Sequence, residues 1–131
     1  VIQCAYQTLS SQSDIVIVEG AGGFLVPLNV QQTGADLVQV LNLPVILVVG
    51  MRLGCLNHAL LTEQAIRAAG LPLAGWVANC MDPQMLVLAE NIATLKQRLD
   101  CPLLGVVPFE NDMDTKKDAE FLDVARLGNF I

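Results

Sequence analysis

A lone carboxylate at the end of an apolar, β-branched run is the arrangement in this chain with the most chemical capacity. Ile15-Val16-Ile17-Val18 leads into Glu19 and then straight into Gly20-Ala21-Gly22-Gly23. In open α/β sheets ligands bind beyond the carboxyl ends of the strands, and glycines there let the backbone approach a bulky ligand without Cβ clashes. An acid beside exposed backbone N–H groups suits a metal-bound phosphate, although the same residues also read as a plain strand-to-loop turn with a solvated glutamate. Three more apolar runs end in groups of similar interest. Gly50-Met51-Arg52-Leu53-Gly54 precedes Asn57, where the free N–H groups of a helix start could hold a carboxylate or phosphate, or where Asn57 is simply a cap. Trp76-Val77-Ala78-Asn79 ends on a side-chain amide, able to offer a donor and an acceptor to a purine edge or to bind its own backbone. Gly105-Val106-Val107-Pro108-Phe109 places an aromatic past a strand end, where it can flank a base or cover the core.

These groups need a scaffold, and the apolar pattern supplies one. Ile15–Val18, Val45–Val49, Leu73–Ala78 and Leu103–Val107 start 30, 28 and 30 residues apart, with helical periodicity between each pair. That spacing is the rhythm of βαβ units. Continuous rather than alternating hydrophobicity predicts strands covered on both faces, hence a doubly wound, mostly parallel sheet with helices on both sides. The spacing predicts helices over 34–41, 57–69 and 83–99, the second closed by Gly70 and Pro72. Glu110 to Asp118 is polar and charged, which predicts a loop before a short final helix over 119–127.

Composition narrows the function classes. A chain of 131 residues with 53% hydrophobic content is one domain with a substantial core. Its net charge of −6 argues against a nucleic-acid partner, which requires clustered Lys and Arg. The longest apolar run, 44–50, is too short to cross a bilayer, and no basic, signal-type segment opens the chain. A cytoplasmic protein without membrane contact is the expectation. Cys4, Cys55, Cys80 and Cys101 lack metal-ligand or disulfide-framework spacing and read as reduced packing thiols. The chain opens at Val1 rather than Met, on residues 1–9 that read as a helix already under way, so part of a longer protein is expected.

The motifs together resemble the dethiobiotin synthase family. The likeness runs through Val18-Glu19-Gly20-Ala21-Gly22-Gly23, Pro44-Val45-Ile46-Leu47-Val48-Val49-Gly50, Leu53-Gly54-Cys55-Leu56-Asn57-His58-Ala59, Leu73-Ala74-Gly75-Trp76-Val77-Ala78-Asn79 and Pro102-Leu103-Leu104-Gly105-Val106-Val107-Pro108. The resemblance implies a P-loop NTPase-like fold and the ATP- and Mg²⁺-dependent joining of 7,8-diaminononanoate with CO2 to give dethiobiotin, ADP and phosphate, in biotin biosynthesis. It implies Glu19 as a metal-holding residue, with Gly20, Ala21 and Gly22 on the nucleotide. Asn79 and Cys80 correspond to adenine contacts, with Pro108, Phe109 and Glu110 on the base's other side; Cys80 stands where an acid is expected. Gly54, Cys55 and Asn57 correspond to the loop and helix start that hold the substrate's carboxylate across a homodimer.

One departure is large. No Gly-x-x-x-x-Gly-Lys-Ser/Thr segment occurs, so the phosphate cradle, its Lys and the Mg²⁺-binding Thr are missing. The family's catalytic lysine and first acidic metal ligand have no counterpart either, and no catalytic residue is assigned. Residues 1–131 are therefore expected to be the C-terminal portion of a single P-loop-type α/β ligase domain, incomplete at the N-terminus and inactive alone. Another P-loop amide ligase of the cobyrinate amidase type, or a non-catalytic truncated dimerisation module, are the alternatives.

Overall fold

The computed structural model describes residues 1–110 and 115–130. In chain order they form helix α1 (Ile2–Ser10), helix α2 (Gly34–Leu41), strand β1 (Val45–Met51), helix α3 (Cys55–Ala68), strand β2 (Leu73–Cys80), helix α4 (Leu88–Arg98), strand β3 (Leu103–Val107), helix α5 (Thr115–Glu120) and a kinked 3₁₀ segment (Val124–Phe130). The strands pair in the order β1-β2-β3, and both pairings are parallel. The α/β class and the parallel sheet match the expectation.

Each crossover helix forms for a local reason. Before α2, the Thr33 N–H and hydroxyl both bond the Asp36 carboxylate, at 2.6 and 2.7 Å. These bonds, the backbone one first, hold the Asp36 pKa below its ordinary value. Helix α3 starts after Gly54, whose φ of +92° favours glycine, and its Arg67 guanidinium pairs with Glu63, the one charged side chain buried among the described residues. Helix α4 carries Glu90 in its first turn and Lys96 and Arg98 in its last, in the sense that suits the helix dipole.

The main core lies under one face of the sheet. Val49, Met51, Trp76, Ala78 and Cys80 from β1 and β2 meet Cys55 and Ala59 of α3, and Leu95 and Leu99 from α4 and its end. A fully buried Leu or Met of this kind contributes roughly 1.5–3 kcal/mol. A smaller cluster covers the opposite face, where Ala74, Val77 and Leu104 meet Leu127 of the 3₁₀ segment.

The structure corrects several expectations. Ile15–Val18 is not a sheet strand: its backbone has no ladder partner among the described residues, and Ile15 and Ile17 are exposed. A short strand persists only where a neighbour satisfies its backbone. Helix α3 begins at Cys55, two residues before the expected start, so Asn57 lies within its first turn and Gly54 is the cap. Helix α4 begins at Leu88 rather than at 83, because Asp82 turns the chain by accepting N–H bonds from Gln84 at its side chain and Met85 at its backbone. The expected final helix over 119–127 is replaced by α5 and the 3₁₀ segment. Thr115–Asp118, read as loop, is therefore helical, while residues 111–114 of that loop lie outside the described residues.

Candidate functional site

The parallel arrangement brings three strand ends to one edge of the sheet, and a cleft of about 350 Å³ opens there. Its floor is apolar: Val48 of β1, Val77 of β2 and Val107 of β3 share one sheet face. Its rim carries Asn79, Cys80, Pro108, Phe109 and Glu110. Five residues singled out from two separate strand ends thus line a single cavity, because parallel pairing sets Asn79 opposite Val107. The valine floor was not singled out from the sequence, where those residues read only as core. Their position next to strand ends was the available signal.

The chemistry of the cleft follows from these groups. Asn79 is partly buried, and its amide has no hydrogen-bond partner among the described residues, so donor and acceptor are both free for a ligand. The Cys80 thiol is buried, and burial pushes its pKa up. It therefore meets a ligand as a neutral, weak donor rather than as an anion. Phe109 is exposed enough to offer a ring face, and Glu110 accepts a bond from the Lys117 ammonium at 2.5 Å. Ligand clefts span roughly 300–1,000 Å³, and this one falls at the small end of that range.

The other predicted residues lie apart from this cleft. Glu19, Gly20, Ala21 and Gly22 are exposed and line neither this cleft nor the smaller one of about 270 Å³ formed by residues 23–26 against Leu61, Thr62 and Ala65. Among the described residues no group of three His, Cys, Asp or Glu side chains is placed to hold a metal ion. Glu19 alone fits Mg²⁺ only as one donor among phosphate and water oxygens, which is how that ion is commonly held.

Gly54, Cys55 and Asn57 stand together at the start of α3, just beyond β1. Cys55 is buried and its N–H is taken by the Arg52 carbonyl at 3.0 Å, whereas Asn57 is exposed. The Leu56 and Asn57 N–H groups have no partner among the described residues, which leaves the positive helix end available to an anion. A Cβ at Gly50, near the end of β1, would come within 2.5 Å of the Met81 sulfur, the tip of an exposed, flexible side chain that can move aside.

Comparison with known proteins agrees with this architecture. A family profile described as an AAA domain matches residues 1–117. The chain is 59% identical over 128 residues to the ATP-dependent dethiobiotin synthetase BioD of Nitrosospira multiformis, covering 98% of this chain and 57% of that protein. It is 61% identical over 121 residues to the protein of that name from Aromatoleum aromaticum, covering 92% and 54%. The corresponding protein of Cellvibrio japonicus is 66% identical over 97 residues, covering 74% and 42%. The chain spans about half the length of the curated relatives it matches.

Proposed function

This chain belongs to the AAA domain family, and from that premise we propose that it forms the base-binding part of an ATP-dependent dethiobiotin synthetase. The reaction is the joining of 7,8-diaminononanoate with CO2 at the expense of ATP, giving dethiobiotin, ADP and phosphate, in the cytoplasm. The observation that supports the reading is the convergence of Asn79, Cys80, Pro108, Phe109 and Glu110 on one cleft at the strand ends.

In this reading Asn79 pairs with the adenine edge, while Phe109 and Pro108 flank the ring and the valine floor excludes water beneath it. Gly20, Ala21 and Gly22 contact the nucleotide from the other side. Glu19 gives one oxygen to Mg²⁺, which when bound neutralises phosphate charge. The N-terminus of α3, with Gly54, Cys55 and Asn57, takes the substrate carboxylate of the neighbouring subunit in a homodimer. Phosphoryl transfer depends on positioning and charge neutralisation around the γ-phosphate, and these residues supply the base and metal ends of that positioning only.

The test is nucleotide affinity in the longer protein carrying these residues. Asn79→Ala removes one or two hydrogen bonds worth about 1 kcal/mol each, so the Kd for ATP should rise on the order of tenfold, with preference for ATP over GTP reduced. Titration calorimetry that finds equal ATP affinity in the two proteins would remove Asn79 from the site.

A further inference from the structure

Strand alternation divides the side chains of β1 between the two faces of the sheet. Val49 and Met51 are buried in the main core with α3 and α4, so Val48 and Gly50 belong to the opposite face, where Val48 helps to floor the cleft. Gly50 leaves its place on that face without a side chain. The Met81 sulfur takes the place, since a Cβ at Gly50 would lie 2.5 Å from that atom. The register sets Gly50 beside Asn79 and Asn79 beside Val107. One row across the cleft face therefore runs from Met81 over Gly50 to Asn79 and on to Val107, with Phe109 two residues beyond.

The local chain explains why Met81 is turned this way. Strand β2 ends at the buried Cys80, and Asp82 then turns the chain by accepting N–H bonds from Gln84 at its side chain and Met85 at its backbone. Met85 returns to the main core, whereas Met81 stays on the cleft side, 52% exposed. An apolar side chain left half in water adds little to the fold. A thioether is flexible and polarisable, however, and contacts aromatic rings favourably. Across Asn79 from it stands Phe109, a ring that lines the cleft. An amide flanked by two such groups suits a planar heterocycle read at its edge and held at its sides.

We propose that Met81 is a further specificity-determining residue of this cleft: from its seat over Gly50 its thioether closes the β1 side and contacts the purine whose edge Asn79 reads. This role of Met81 rests on the base-binding reading of the cleft. Gly50 is part of the device, because a side chain there would displace the sulfur.

The experiment uses the longer protein carrying these residues, with its methionine methyls labelled with carbon-13 and the Met81 resonance identified by its loss in Met81→Leu. ATP should move that resonance upfield, as a methyl lying over an aromatic ring moves, and inorganic triphosphate should leave it in place. In titration calorimetry Met81→Ala should raise the Kd for ATP about three- to tenfold, the range of one sulfur–aromatic contact. The Kd for inorganic triphosphate should not change. Gly50→Ala should weaken ATP binding too, yet add nothing once Met81 is alanine; additive losses would overturn the seat over Gly50. An unmoved methyl, or unchanged ATP affinity in Met81→Ala, while Asn79→Ala weakens ATP binding, would overturn the role of Met81 and leave the cleft reading standing. Equal weakening of ATP and inorganic triphosphate would overturn it as well, since a structural loss spares neither. A methyl that moves although Asn79→Ala binds ATP normally would keep Met81 and remove Asn79, and no response from either residue would sink both.

Discussion

Glu19 and Asn79 are the two residues on which most chemistry is proposed, and their surroundings differ. Asn79 is partly buried on the rim of a defined cleft, whereas Glu19 is exposed with no hydrogen-bond partner among the described residues. An exposed carboxylate contributes little to folding, so its worth lies in a ligand. Glu19→Gln in the longer protein should leave the denaturation midpoint unchanged. Turnover at limiting Mg²⁺ should fall at least about tenfold, the effect of losing one charge-assisted contact of roughly 1.5 kcal/mol. Wild-type turnover of the Gln protein across a Mg²⁺ titration would show that the metal is held by other groups. Cys80 was named for the site from the family resemblance, and like the other cysteines it was read as a reduced packing thiol. Only the packing of β2 against α3 and α4 shows that the thiol is buried and kept protonated.

At the scale of elements, β3 shows how a short strand is held in place. Its five residues are backed by β2 on one side and by the Leu122–Arg126 segment on the other. Gly105 makes that backing possible, because a Cβ there would lie 2.0 Å from the Phe121 carbonyl oxygen, a backbone atom that cannot swing aside. Gly105→Ala should therefore push the 121–126 segment off the strand and cost about 1–3 kcal/mol, the usual range for overpacking. Chemical denaturation reads the loss, and faster exchange of the Asp123 amide reads its place. An unchanged midpoint with full Asp123 protection would mean that the segment contributes nothing to the edge. This backing was not legible in the sequence, where residues past 118 carried only a weak helical pattern. The contact depends on a hydrogen bond between residues far apart in the chain, which no local periodicity reports.

For the whole molecule, the decisive fact is which parts of an ATP site these residues build. The cleft is the place where a base is proposed to bind, and the groups that normally surround a γ-phosphate, namely a glycine-rich N–H cradle and its Lys, have no counterpart in the sequence. Such preorganised donors lower reaction barriers by several kcal/mol. Residues 1–131 by themselves, supplied with diaminononanoate, bicarbonate, Mg²⁺ and ATP, should consequently form no measurable dethiobiotin, as read by product chromatography. Formation at a rate near that of a full-length synthetase would mean that the phosphate site is built from groups not recognised in this chain.

What the sequence determined alone is what depends on neighbours along the chain. The three paired strands were placed to within two residues at each end, because the strand propensity of a β-branched apolar run between helical patterns can be read locally. The 34–41 helix was placed at its observed bounds, and the family followed from motif order. What the tertiary structure decided is what depends on partners across space. Ile15–Val18 has as strong a strand pattern as β1, yet it is not a strand here, because a ladder needs a neighbour and none of the described residues provides one. Asn79 and Phe109, thirty residues apart, meet in one cleft only because β2 and β3 lie parallel in register. Local pattern fixes the propensity of a segment, whereas pairing, burial and the shape of a site arise only when distant segments satisfy each other's backbone and apolar surface.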